Sequence, residues 1–164
     1  MSESEKIQAE YEKFPKQFQS IIISTVNQQN IPNASYSPFI IDEFKNIYIY
    51  ISGLATHTQN INTNPHVSVL FIDDETNTNN IFARRRLNFD CIATLIDHET
   101  DHWHQIVDQF QERFGQTIEI LRGLPDFRIF QLTPQSGRFV IGFGNIYNIN
   151  GDNLHQLVQI TPDK

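Results

Sequence analysis

Positive charge is scarce in this chain: 12 Lys and Arg stand against 19 Asp and Glu, for a formal net charge of -7 at pH 7. That balance argues against nonspecific binding to nucleic acid or anionic membranes, both of which reward a surplus of cations. Any anionic ligand must then be held by a local basic patch. Cysteine is scarcer still, and the lone Cys91 excludes an internal disulfide framework, fits a reducing cytosol and, from its place in an apolar ladder, reads as buried packing. No apolar run is long enough to span a bilayer, and Met1 to Lys6 lacks the basic-then-apolar pattern of a leader, so a cytoplasmic protein is expected. Glycine offers no phosphate-binding loop: Gly137, Gly142 and Gly144 fall in a strand pattern, where glycine marks a bulge or a close backbone approach.

What is present is a foldable chain of 164 residues with 39% hydrophobic content and 12% aromatics, enough for one domain with a proper core. Ile7, Tyr11 and Phe14 at helical spacing predict an amphipathic helix from about Ser4 to Phe14, stopped near Pro15. Strands are expected over Ser20 to Val26, Ala34 to Ile41, Asn46 to Ser52, His66 to Asp73, the arginine segment to Ile96, Asp126 to Leu132 and Gly137 to Tyr147. In the third, Ile47, Ile49 and Ile51 face away from Tyr48 and Tyr50. Thr133-Pro134-Gln135-Ser136 reads as the connection between the last two strands. A short helix is expected from Ala55 to Asn62, an amphipathic one through Trp103, Ile106, Val107, Phe110 and Phe114 up to Gly115, and another over Gln116 to Arg122. Six or seven strands, with helices only at the start, middle and end, suggest a small antiparallel barrel in a mainly β, α+β chain. Ile21 to Ile23 and Phe139 to Phe143 put apolar side chains on both strand faces, which predicts a homodimer, since one barrel has one interior.

The densest positive charge is Arg84-Arg85-Arg86, running into Leu87-Asn88-Phe89-Asp90. Read as a strand, Arg84, Arg86, Asn88 and Asp90 share one face, while Arg85 tops the ladder Leu87, Phe89, Cys91, Ala93 and Leu95. An anionic ligand is expected here; solvated edge charges that discourage aggregation are the alternative.

The strings PNASYSPF (Pro32 to Phe39), SGLATHTQNINTNPHVSVLFIDDE (Ser52 to Glu75), FARRRLNFD (Phe82 to Asp90), LPDFRIFQL (Leu124 to Leu132) and GRFVIGFG (Gly137 to Gly144) together resemble the HugZ/HutZ haem-utilisation family. That family belongs to the pyridoxamine 5'-phosphate oxidase-like split β-barrels. The resemblance runs in order from about Phe18 to Leu157 and divides the chain into an N-terminal helical segment (1–17), a split-barrel domain (18–150) and a C-terminal tail (151–164). It implies a homodimeric antiparallel split β-barrel with flanking helices that binds haem at the subunit interface. There the family opens the porphyrin with oxygen and an electron donor, releasing iron. By the same resemblance Arg86 is a haem-pocket arginine, with Arg84 and Arg85 before it as further haem-binding candidates, Asp126 is the aspartate that orients the partner subunit's proximal histidine, and Ser20 stands where the family has a pocket threonine. The chemistry suits the residue types: a guanidinium grips a propionate bidentately, and a carboxylate behind an imidazole raises its donation to iron. The family's proximal ligand lies in a Gly-His element of the tail, whereas here the tail reads Val158 to Lys164 without one. His155 is the nearest replacement for the iron ligand, in a short element after Gly151-Asp152.

The wider superfamily binds flavin mononucleotide, whose phosphate needs Arg, Lys or a helix N-terminus. Between Lys45 and Arg84 there is no Lys or Arg, and Thr56-His57 stands where flavin oxidases place an Arg-Lys pair. A residual flavin site from Ser52, Thr56, His57 and Thr58 is the alternative, set against local helix capping by His57 and Thr58. His98, His102 and His104 among Asp97, Glu99 and Asp101 have a spacing that could bind a metal, but a charged helix start explains them more simply. The expectation is thus a haem-degrading oxygenase, with a flavin-dependent oxidoreductase and a non-catalytic haem binding or transfer protein as alternatives.

Overall fold

Two-residue alternation in the strands builds a barrel with a second apolar layer on one outer side. A computed structural model describes residues 1–162. Its strands are β1 (Ser20–Val26), β2 (Pro32–Ile41), β3 (Ile47–Ser52), β4 (His66–Ile72), β5 (Arg86–Ile96), β6 (Phe127–Gly142), β7 (Asn145–Asn150) and β8 (Asn153–Ile160). They form one sheet in the order β3-β2-β1-β4-β5-β6-β7-β8, antiparallel throughout. β3 also pairs with β6, from Ile47 opposite Leu132 to Ser52 opposite Phe127, which closes β1 to β6 into a barrel and leaves β7 and β8 as an outer hairpin. The helices are α1 (Glu3–Lys13), α2 (Thr56–Thr63), α3 (Asp101–Phe114) and α4 (Gln116–Arg122).

β3 shows how one strand serves both layers. Ile47, Ile49 and Ile51 point into the barrel with Ile21, Ile23, Phe39, Val69, Phe71, Leu87, Phe89 and Phe139. Tyr48 and Tyr50 point outward, where Trp103, Ile106, Val107 and Phe110 of α3 cover them. α3 stops where Gly115 turns to a φ of 77°, a left-handed backbone that glycine enters without a Cβ clash.

α1 begins in a capping box, Ser2 accepting from the Glu5 amide while Glu5 accepts from the Ser2 amide. Its Tyr11, and Phe14 immediately after it, are fully buried against the barrel core, each contributing about 2 kcal/mol by area. The helix is pinned by Lys45 on Glu12 at 2.7 Å, by Arg85 on Glu10 at 2.6 Å, and by two bonds to β8: Tyr11 Oη donates to the Leu154 carbonyl at 2.5 Å and Gln8 donates to that of His155. Cys91 is buried as expected, and burial with Asp90 beside it pushes its thiol well above the ordinary range, which leaves it unreactive packing.

Several expectations need correction. The chain ends in strands rather than a helix, because Leu154 and Leu157 pack onto the core while β8 pairs with β7; the segment separated off as a tail at 151–164 is mostly sheet, and residues 163–164 lie outside the described residues. Thr133 to Ser136 is no connection: β6 runs through it unbroken, and Pro134 is accommodated where the pairing with β5 slips between Asp90 and Cys91. The break comes instead at Phe143-Gly144. Arg84 and Arg85 precede β5, and Leu95 leaves the apolar ladder, 47% exposed opposite Phe130. Ile22 faces outward, 42% exposed and in register with Tyr36 and Leu70, so β1 does carry an apolar side chain on its second face.

Candidate functional site

The three arginines have three different environments. Arg84 donates to the Asp73 carbonyl at 2.6 Å and lies 3.6 Å from Glu75. Arg85 is enclosed: Nε and one terminal nitrogen grip the Asp73 carboxylate at 2.9 and 3.2 Å, the other donates to Glu10, Gln17 accepts a further bond, and the guanidinium lies 4.6 Å from the Phe14 ring centre. Burial opposes its charge, but the bonds to Asp73 and Glu10 outweigh burial and raise its pKa above the ordinary value. Arg86 opens β5 between Ile72 and Val140, and its one bond goes to the Arg84 carbonyl at 2.9 Å. Among the described residues Arg86 has no carboxylate partner. Sequence gave no sign that Arg85 belongs to the docking of α1, because Glu10 and Asp73 lie far from it along the chain.

Asp126 sits at the other end of the same ladder, just before Phe127, which pairs with Ser52. The Gly53 amide donates to the Asp126 carbonyl at 2.6 Å, and the Ser52 hydroxyl donates to Asp126 Oδ2 at 3.4 Å. Ser52 Oγ also accepts from the Leu54 amide at 3.2 Å, while the fully buried Thr58 donates to the Ser52 carbonyl at 2.5 Å. Asp126 Oδ1 has no partner among the described residues. Arg86 lies opposite Val140 and Asp126 beside Phe127, so the two are separated by most of β6, on the order of 40 Å along the strand. One chain does not bring them together.

The residues of the flavin alternative divide. Thr56 is exposed at the first turn of α2, and His57 is half-buried with Nδ1 2.9 Å from Ser35 Oγ. Burial pushes the His57 pKa down, which favours neutral imidazole over the cation a phosphate prefers. Neither His57 nor Thr58 caps α2, whose N-cap is Ala55 without a side-chain bond; Thr58 is committed to Ser52 instead. The first turn of α2 carries no Lys or Arg.

Ser20 is exposed at the start of β1, opposite Pro38. His155 lies on β8 rather than on a turn, with its Nδ1 3.1 Å from Glu12 and its amide bonded to Asn153. Its imidazole thus belongs to the α1 contact. His98 and His104 both pair with Glu99 at the start of α3, and no cluster of three His, Cys, Asp or Glu that could hold a metal ion is found among the described residues. No helix among the described residues is long and apolar enough to cross a membrane. Gly53 was missed from sequence, since its role is a close approach to a residue far along the chain.

Residues 7–141 match the family model for pyridoxamine 5'-phosphate oxidase. Haem oxygenase HutZ of Vibrio cholerae serotype O1 is 37% identical over 155 residues, spanning 94% of this chain and 88% of that protein. The crystal structure of Vibrio cholerae HutZ, there called a haem storage protein, superposes with a TM-score of 0.73 over 77% of this chain and 88% of that one. Campylobacter jejuni ChuZ, at 29% identity, gives a TM-score of 0.86 over 100% of this chain and 68% of its own. The closed barrel, the colinear blocks and these similarities place the chain in the pyridoxamine 5'-phosphate oxidase-like family, among the relatives of HutZ and ChuZ.

Proposed function

We propose that the protein binds haem at the interface of a homodimer and degrades it oxidatively, releasing iron. The observation that carries this reading is the separation of Arg86 from Asp126: each presents an open polar group, and a site using both must be completed by a second copy. The outward row of Tyr36, Ile22 and Leu70 offers that copy an apolar face. The relatives named haem oxygenase and haem storage protein supply the ligand.

Bound haem would supply the iron at which oxygen is activated, with electrons from an external donor. Arg86, with its guanidinium free of carboxylates, would hold a haem propionate bidentately. Asp126, with Oδ1 open, would accept and orient an N–H donor presented to it from the second copy. Arg85 and Arg84 support this edge through Asp73, Glu10 and Glu75 rather than touching ligand. Ser20 lies near the same outward face, as the first residue of β1. Flavin is disfavoured because α2 presents a neutral imidazole and hydroxyls where a phosphate needs cations.

The test is the absorption spectrum before and after haem is added, alongside equilibrium titrations with haem and flavin mononucleotide. A Soret band that decays under reductant and oxygen, with iron captured by a chelator, is expected. A Soret band that persists assigns the protein to storage or transfer. Co-purifying stoichiometric flavin with no haem affinity overturns the reading.

A further inference from the structure

One outward row crosses the sheet in register: Tyr36, Ile22, Leu70, Asn88, Arg138 and Asn148 each stand opposite the next. Its first half is the apolar face on β2, β1 and β4, and its second half is polar. Two residues along β5, Asp90 stands opposite Ser136, which makes Arg138 and Asp90 diagonal neighbours on one exposed face, roughly 7–8 Å apart. Neither has an ion-pair partner among the described residues, and the Asp90 carboxylate takes only the Ser136 hydroxyl, at 3.4 Å. Beside Arg138 lies a shallow hollow of about 410 Å³ walled by Asn88, Asp90, Ser136 and Asn150.

This layout is self-complementary. A two-fold axis lying in the plane of the face and passing between the two residues carries each arginine over the partner's Asp90, so one contact is made twice. Size forces the issue. Leu70 and Arg138 are two strand spacings apart, about 10 Å, whereas an ordinary interface of about 800 Å² per partner is roughly 28 Å across. A copy seated on Ile22 and Leu70 therefore covers Arg138 and Asp90 as well, and charges covered without partners would be strongly destabilising. We infer that the homodimer is registered by a reciprocal ion pair, Arg138 of each copy entering the hollow beside the partner's Asp90. The inference rests on the homodimer of the proposed function and adds the face and the residues that set how the copies meet. Arg86 lies on the same face two residues before Asn88, so this pair also fixes where Arg86 stands against the second copy.

The experiment uses the full chain without ligand, with sedimentation equilibrium as the readout and circular dichroism and melting as controls for folding. The parent is expected to be dimeric at micromolar concentration. Arg138→Asp and Asp90→Arg each place like charges at both contacts and should raise the dimer dissociation constant at least about 100-fold. Combining the two substitutions in one chain should bring it back to within about tenfold of the parent. Mixing the two singly substituted chains is more telling, because only the mixed dimer restores both unlike pairs; native mass spectrometry should show heterodimers and almost no homodimers. If the single variants dimerise like the parent and mixing shows no preference, the pairing is wrong, this face is left to another occupant and the homodimer stands. Dissociation that neither route rescues also overturns the pairing. A parent that is monomeric at micromolar concentration removes the homodimer and the inference together. Should a single variant not fold alone, co-expression of the two under different affinity tags decides: a folded one-to-one heterodimer is expected, and failure of the chains to co-purify overturns the inference.

Discussion

The two ends of the β5–β6 ladder solve opposite problems. At the arginine end, three adjacent cations are mostly consumed by the protein itself: Arg85 is surrounded by Asp73, Glu10, Gln17 and the Phe14 ring, and Arg84 leans on Asp73 and Glu75. At the aspartate end a single acid has its carbonyl bonded by a backbone amide and the Arg128 guanidinium, while its carboxylate takes one serine hydroxyl and keeps an oxygen free. A cluster of like charges in sequence therefore says little about which member is available. A carboxylate that meets no cation directly, only one hydroxyl, remains available to a further donor.

The sharpest way to break this comparison is at Arg86. Arg86→Ala should leave the melting temperature nearly unchanged yet weaken haem binding or slow its turnover about 10- to 100-fold, as expected for losing a charge-assisted bond worth about 1.5–3 kcal/mol. Normal affinity and turnover would remove Arg86 from the site. Arg85→Ala should do the reverse, costing about 2 kcal/mol in denaturant unfolding through the lost α1 contacts, with haem affinity of the folded protein within about twofold. A haem defect without a stability defect would show that Arg85 meets ligand after all.

Glu12 extends the contrast to pH. Burial alone would raise its pKa, but hydrogen bonds from Lys45 and His155, with their charges, bring it below the ordinary 4.5. A depressed carboxylate stabilises the fold above its unfolded pKa, and that stability is lost as pH falls through the folded value. Unfolding midpoints should therefore drop on acidification below about pH 4.5, and Glu12→Gln should reduce that drop while costing about 1–2 kcal/mol at neutral pH by leaving the buried Lys45 without its anion. The smallest effect is expected at His155, an exposed surface link to Glu12. His155→Ala should shift stability by no more than about 0.5 kcal/mol and leave the ferric haem spectrum unchanged. A changed coordination state would restore it as the iron ligand.

Much of the barrel was readable because its signals are local. β1 and α4 match their expected spans, and the opposed faces of β3 follow from strict alternation of Ile and Tyr. β6 was misread because Pro134 and Ser136 carry turn chemistry, and only the slipped register opposite Asp90 and Cys91 shows that a strand can pass through them. β8 escaped notice because Leu154, Leu157 and Ile160 recur every third residue rather than every second. At the site, residue types were legible and availability was not: the partners of Arg85 and the approach of Gly53 to Asp126 are set by segments distant in sequence.

The closure of β3 onto β6 leaves β8 as the terminal strand of the sheet, paired on one side with β7. An uncovered edge is a template for adding further strands. Here α1 lies along part of that edge, with Tyr11 and Gln8 occupying the Leu154 and His155 carbonyls. Detaching α1, by proteolysis or by an N-terminal fusion that pulls it away, would uncover backbone acceptors and the hydrophobic seat of Tyr11 and Phe14 together. The first consequence would be self-association by edge-to-edge pairing, so the helix that caps the barrel also keeps the sheet from growing.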